Sequence, residues 1–312
     1  MFDIIIPTFK TPLNLLKGCL DSIKSQTFKD YQVWICDGTP HDWKRYEALQ
    51  ELFSQYPEFT VVRQEGKGVS QARNQIIRMG SNPYVAFLDS DDQWVSNYLF
   101  DMFNEGIEKS RDEGVGIWFS EIKEKALKMF PIDLATIGMN GTVAVRTEIE
   151  SLLQSYDVLN FIPLEYQRRF HQMSPLWFSG AIMRRDVLED TNLFDERFTI
   201  GEDSKLLLEI LDNGYYTQFI PFVGCIRNSH PQQLTKNPHN KSNSWLESHN
   251  DEVNKFKINP LEAIEKMPLL DKSQIPIMLA YMSHGKQRGF SSVDCKQKIE
   301  LMSEEDYLLE TL

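Results

Sequence analysis

Cysteine is scarce in this chain. There are four in 312 residues (Cys19, Cys36, Cys225 and Cys295), far apart and in no CxxC or zinc-type spacing. That excludes a disulfide scaffold and a cysteine-rich metal site, and it fits a protein kept in a reducing compartment. Long apolar runs are missing as well: no segment approaches the ~18 residues that would cross a bilayer. The first residues carry Asp3, no early basic residue, and Pro7 after a short apolar stretch, which is not the form of a secretory leader. A cytoplasmic protein is expected, with at most peripheral contact with a membrane. Positive charge is in deficit, 33 Lys and Arg against 45 Asp and Glu for a net −12, which argues against a nucleic-acid partner and leaves room only for a local basic pocket. Two glycine signatures are absent too. The Gly66-Lys67-Gly68 stretch is no P-loop, because Val62 stands where the first glycine belongs, and it is not a GxGxxG fingerprint.

What remains is an ordinary globular composition, 41% hydrophobic and 25% charged, long enough to bury a sizeable core. Short β-branched or apolar runs read as strands at Phe2–Ile6, Tyr31–Cys36, Phe59–Arg63 and Pro83–Leu88. Between them, Leu13, Leu16, Leu20 and Ile23 fall on one helical face, and the stretches Trp43–Gln55 and Val69–Met79 also have helical spacing. Strands separated by helices of this length predict βαβ crossovers and a mostly parallel sheet. In such sheets ligands bind beyond the carboxyl ends of the strands. Pro7-Thr8, Asp37-Gly38 and Asp89–Asp92 all follow strand ends, so the fold is expected to gather them on one rim. After Phe119 the pattern loosens. Leu176–Met183 reads as a strand, Asp203–Leu211 as a helix closed by Asn213-Gly214, and Tyr215–Ile220 as a strand. A composition shift near 235 marks a soft boundary before a polar, helical tail.

Four segments have residue types suited to chemistry. Asp89-Ser90-Asp91-Asp92 places three carboxylates in four residues, which repel unless a cation or solvent screens them. Hard oxygen donors so spaced suit Mg²⁺ or Mn²⁺; the equally weighted alternative is a solvated acidic turn capping a helix after Trp94. The segment Gly66–Asn74 brings glycines, Lys67 and Arg73 to a helix start, where they could hold anionic oxygens or simply make a turn. Glu202 and Asp203 offer a general base, or an N-cap. In Arg227–His230, the arginine could bind a phosphate and His230 a divalent ion, or the histidine could fill surface or core as most lone histidines do.

Taken in order, the pieces IIIPTFK, ICDGT, GVSQARN, FLDSDD, WFSGAIMRR, GED and IRNSHPQQLT exceed any one of them. Over residues 1–235 the chain resembles the family 2 glycosyltransferases. The resemblance implies a GT-A fold: an α/β, Rossmann-like, mostly parallel sheet flanked by helices, here with a mainly helical C-terminal appendage. It divides the chain into a glycosyltransferase domain (1–235) and an extension (236–312), the domain comprising a nucleotide-binding half (1–119) and an acceptor-binding half (120–235).

The resemblance also implies roles. Pro7, Thr8 and Phe9 line the nucleotide pocket, Asp37 meets the base, and Arg73 reaches the nucleotide. Asp89 and Ser90 belong to the donor side, while Asp91, Asp89, Asp92 and His230 are the candidate metal ligands. Asp203, with Glu202 beside it, is the base, and Trp177, Phe178 and Gly180 form the acceptor and sugar wall, although Trp177 and Phe178 could equally fill the core. The implied reaction is a metal-dependent, inverting transfer from a nucleotide-diphospho-sugar, a UDP-sugar by family habit, to a glycan, lipid-linked or protein-linked hydroxyl. Two departures stand out: Cys36 replaces a second acid before Asp37, and no aromatic follows Glu202-Asp203. Rival readings are a catalytically degenerate nucleotide-sugar-binding protein and, less well supported, a sugar-nucleotidyltransferase, whose glycine-rich basic signature is missing from Pro7–Pro12.

Overall fold

A computed structural model describes residues 1–110, 114–124, 176–198, 200–228 and 230. The expected 236–312 extension and most of the 120–175 stretch lie outside the described residues. Among these residues one sheet of eight strands, numbered in chain order, runs β3-β2-β1-β4-β7-β6-β8-β5. Its first half is the predicted βαβ series: β1 (Phe2–Thr8), α1 (Leu13–Lys24), β2 (Tyr31–Asp37), α2 (Tyr46–Ser54), β3 (Thr60–Arg63), α3 (Val69–Met79) and β4 (Tyr84–Phe87). β1 pairs in parallel with both β2 and β4, so strands β2 and β3 are added on one side of β1 and β4 on the other, the order switching at β1. With helices over both faces, β1 is buried almost end to end, which is why it reads as a continuous apolar run rather than an alternating one. α1 turns Leu16, Cys19, Leu20 and Ile23 into the core.

The second half departs from the sequence reading. The acidic turn is followed by β5 (Gln93–Trp94), and the next helix, α4 (Tyr98–Asp101), starts only at Tyr98 before running into a π-helical turn, Met102–Ile107. The alternative of an acidic turn capping that helix is thereby corrected. Leu176–Met183 is not one strand: Phe178–Gly180 forms a 3₁₀ turn, and only Ala181–Arg184 (β7) is extended, leading to α5 (Arg185–Glu189). β6 (Val115–Glu124) continues beyond the residue where the pattern loosens, parallel to β8 (Tyr216–Arg227) and antiparallel to β7. β8 itself passes well beyond Ile220. The register jumps there, from Ser120 opposite Ile220 to Glu121 opposite Val223, and Pro221, with no amide hydrogen to donate, falls inside the bulge. α6 (Glu202–Asp212) begins one residue earlier than expected and ends at Asn213-Gly214 as read. Among the described residues, no helix is long and apolar enough to cross a membrane.

Candidate active site

The carboxyl ends of β1, β2 and β4 converge as the topology requires. Beyond β1, the Thr8 and Thr11 hydroxyls lie 3.1 Å apart, and Thr11 reaches the Ser90 hydroxyl at 2.7 Å. The Gly38 amide donates to the Thr8 carbonyl and the Lys10 amide to Thr39 Oγ1, tying the β1 and β2 loops together. Asp37 is buried; one carboxylate oxygen accepts the Thr39 amide at 2.9 Å, and the other faces Arg63 at 3.4 Å. Arg63 also donates to the Thr39 carbonyl. Above this frame Phe9 is 58% exposed, an unusual place for a large apolar ring and a flat surface for a ligand to lie on. Pro7 is the next-to-last residue of β1, in register with Cys36.

The turn after β4 closes when the Asp92 amide donates to the Asp89 carbonyl at 2.9 Å. This folds Asp89, Asp91 and Asp92 into one cluster, with an oxygen from each within 4.8 Å of the others. Asp92 is only 4% exposed, which rules out a merely solvated turn. Its carboxylate accepts the Asn228 amide at 3.1 Å and is hydrogen-bonded to Ser179. Asp91 meets His230 Nε2 at 2.8 Å, while Asn228 Nδ2 donates to the Asp91 carbonyl. Burial, followed by the charges of Asp91 and Asp89, pushes the Asp92 carboxyl well above its ordinary range. Burial and Asp89 raise Asp91 too, with His230 opposing. Three crowded carboxylates with too little neutralising charge, all oxygen donors and one imidazole beside them, are a donor set that fits Mg²⁺ or Mn²⁺.

Across the rim stands the start of α6. Gly201, at φ +79, turns the chain in a way that favours glycine, and places Glu202 and Asp203 in the first helical turn. Arg73, on α3, lies between the two acid groups: Nη2 donates to Asp89 at 2.8 Å and Nη1 to Glu202 at 2.9 Å. It is 4% exposed, so it faces acids rather than open solvent. Burial pushes Glu202 up to about 7, the Asp203 charge adds to this, and Arg73 opposes it. Asp203 is likewise raised by burial, against Arg73. One Asp203 oxygen accepts the Ser204 amide at 2.7 Å. An acid held above its usual range is a stronger proton acceptor when ionised, the property a general base needs.

Of the expected sugar wall, Trp177 is half-buried, with the Arg227 guanidinium 4.2 Å from its ring centre. Phe178 packs against Phe87 and Phe194, and Gly180 is buried where a Cβ would come within 2.9 Å of Ile122. Both belong to the core. Sequence reasoning missed Ser179 and Asn228 as residues that shape the acid cluster. Ser179 accepts the Asp89 amide through its hydroxyl, and its carbonyl accepts from Trp94 Nε1 at 2.6 Å. A small hydroxyl residue in a Ser-Gly turn, and an amide side chain between Arg227 and His230, were the only available signals.

With that geometry established, known proteins can be compared. The family model Glycosyl transferase family 2 matches residues 3–191. The uncharacterized glycosyltransferase EpsJ of Bacillus subtilis (strain 168) is 25% identical over 242 residues, 77% of this chain and 64% of that protein. The UDP-Glc:alpha-D-GlcNAc-diphosphoundecaprenol beta-1,3-glucosyltransferase WfgD of Escherichia coli is 29% identical over 99 residues, 32% of this chain and 38% of WfgD. The matches thus span less than two thirds of either relative. Among solved structures, residues 1–349 of S. aureus TarS in complex with UDP-GlcNAc superpose with a TM-score of 0.54 at 16% identity, covering 100% of this chain and 79% of that one. The mannosyltransferase PcManGT from Pyrobaculum calidifontis, in complex with GDP-Man and Mn2+, gives 0.52 at 16%, with 99% and 82% covered. Likeness at this identity speaks to the fold, and the fold is the GT-A type expected.

Proposed function

The chain belongs to glycosyl transferase family 2, and from that premise we propose that it moves a sugar from a nucleotide-diphospho-sugar to an acceptor hydroxyl, inverting the anomeric centre. The observation that carries this reading is the pairing on one rim of an acidic cluster suited to a divalent cation with a second, raised acid pair across Arg73. The neighbours solved with UDP-GlcNAc and with GDP-Man and Mn2+ support a nucleotide-sugar donor and a divalent ion. A UDP-sugar is the donor we favour, a glycan or glycoconjugate the acceptor, and the cytoplasm the location.

In this reading residues 1–119 bind the donor. Phe9 lies against the nucleoside, and the loop fixed by Asp37, Thr39 and Arg63 gives the base its polar edge. Asp91 and Asp92, with Asp89 and His230 beside them, would hold the ion, which when bound would supply a Lewis acid at the diphosphate. Asp203 accepts the proton of the attacking hydroxyl, and its partial burial keeps that proton from competing water. Trp177, backed by Arg227, offers a face for a pyranose ring. A single displacement needs no covalent enzyme intermediate.

The test is a thermal-shift panel of nucleotide-sugars with Mn²⁺ or with a chelator. A true donor at a hundredfold excess over its Kd stabilises by about 2.7 kcal/mol, a shift of several degrees. That shift is expected for one donor class with the metal and is lost with the chelator. If no nucleotide-sugar moves the transition in either condition, the reading fails.

A further inference from the structure

We infer that Arg73 and Glu202 are a positioning pair: the guanidinium fork ties the first residue of α6 to the acidic loop after β4 and so fixes where Asp203 stands relative to the donor. The inference rests on the reading of Asp203 as the base. It departs from the expectation that Arg73 reaches the nucleotide.

The geometry begins with α3. Ser70, Arg73 and Asn74 lie at three- and four-residue steps, hence on one helical face. Each of them holds the segment that leads into α6. Ser70 Oγ donates to the Phe198 carbonyl at 3.3 Å, and Asn74 exchanges hydrogen bonds with the backbone of Phe194 at 2.8 and 3.0 Å. Arg73 completes the row by reaching Glu202, 129 residues away, while its other arm reaches Asp89, 16 residues away. The rings of Phe194 and Phe87 lie 5.1 and 6.0 Å from the guanidinium carbon and hold the plane in place.

Among the described residues, no side chain caps the start of α6. The Arg73–Glu202 bond is therefore the polar side-chain anchor at the first residue of α6, with Lys205 paired to Asp195 at 3.4 Å further along the turn. A guanidinium suits this task, because two nitrogens in a rigid fork bind two carboxylates at once, whereas an ammonium is a single point charge. The lost anchor should appear in turnover rather than in donor affinity, since a displacement of about 1 Å at a reacting group can cost roughly a hundredfold.

The experiment uses the full-length chain, with the donor found in the panel above. Glu202→Gln is expected to lower kcat at least about tenfold while donor KM and nucleotide Kd stay within about twofold. Arg73→Lys is expected not to rescue, losing kcat to a similar degree. The double variant Arg73→Met/Glu202→Met removes both partners of the pair, leaving Asp89, which is half-exposed and solvated, and Asp203, which loses the field of the guanidinium. It should keep its melting temperature and lose about a hundredfold in kcat. Wild-type kcat in Glu202→Gln would overturn the inference. So would Arg73 variants that raise nucleotide Kd tenfold with kcat intact, since these would put Arg73 on the nucleotide. Transfer by the wild-type chain in the same assay separates failure of the pair from failure of the functional reading.

Discussion

Two arginines among the described residues are buried at opposite ends of the same sheet, and they are satisfied in unlike ways. Arg185, at the start of α5, donates to the carbonyls of Asn82 and Ile77 and to Asp3 at 2.6 Å. Asp3 in turn also accepts from Trp34 Nε1 and from the backbone and side chain of Asn82, each at 2.9 Å. Gly80 leaves room for this network, since a Cβ there would come within 2.3 Å of the Asp3 carboxylate. One cation meets one anion with donors and acceptors matched. Arg73 is surrounded instead by Asp89, Glu202 and Asp203, and its Nε finds no partner among the described residues. Burial would lower its pKa, but these acids hold it above the ordinary value. The amino ends of the strands thus carry a closed network, and the carboxyl ends an open one with surplus negative charge. A divalent cation would relieve that surplus and could then hold a phosphorylated ligand, so the open end is where function is expected and the closed end where stability is.

The sharpest break in this comparison comes from Asp203→Asn. It should lower transfer by about 10²- to 10⁴-fold while nucleotide binding stays within twofold, as read by initial rates and calorimetry on the same preparation. Asp91→Asn is expected to abolish transfer as well, but together with the metal-dependent thermal shift with UDP. Equal rates for Asp203→Asn and wild type would remove the base assignment. At the other end, Asp3→Asn leaves the Arg185 charge buried without its counter-ion, an expected loss of about 3–5 kcal/mol in denaturant unfolding. Activity per folded molecule should hardly change. A variant that unfolded normally but turned over slowly would mean that the two ends do not divide the work this way.

The closed end also shows what the sequence could not reveal. The βαβ half was legible because each of its elements is a local pattern: Phe2–Ile6 as an unbroken apolar run, Leu16, Leu20 and Ile23 on one helical face, and Asp37-Gly38 at a strand end. The rim followed from topology alone. The order of short motifs pointed to the acids at 89–92 and 202–203. None of this says which side chains meet across the sheet. Nothing near Arg185 in the sequence indicates Asp3, and nothing near Arg73 indicates Glu202. The strand read at Tyr215–Ile220 stops short of the end of β8: Pro221 breaks a strand unless a bulge absorbs it, and that bulge is set by the pairing with β6. The 3₁₀ turn at Phe178–Gly180 was hidden because its apolar residues read as a strand. Its purpose, bringing Ser179 to Asp89 and Asp92, depends on partners some ninety residues away.

The smallest expected effect tests the surplus charge directly through pH. Burial and Asp203 push Glu202 up to about 7 in the folded protein, whereas an unfolded glutamate titrates at about 4.3. Between those values the folded state binds a proton that the unfolded chain has released. Stability contributed this way is present at the low end of the window and declines as pH rises through it. Asp91, Asp92 and Asp203, also raised, act in the same direction. Asp195 acts oppositely: its Arg197 hydrogen bonds hold it below the usual carboxylate range, so its contribution is lost only as pH falls below about 4. Chelator-treated protein should therefore melt at progressively lower temperature from pH 5 to pH 7.5, and Glu202→Gln should flatten part of that slope. Mn²⁺ competes with protons for the acids at 89–92, so the stabilisation it gives should grow over the same interval. A metal-free melting temperature that rises from pH 5 to 7.5 would mean that Arg73 already balances the acids around it, and the open end would then be as closed as the other.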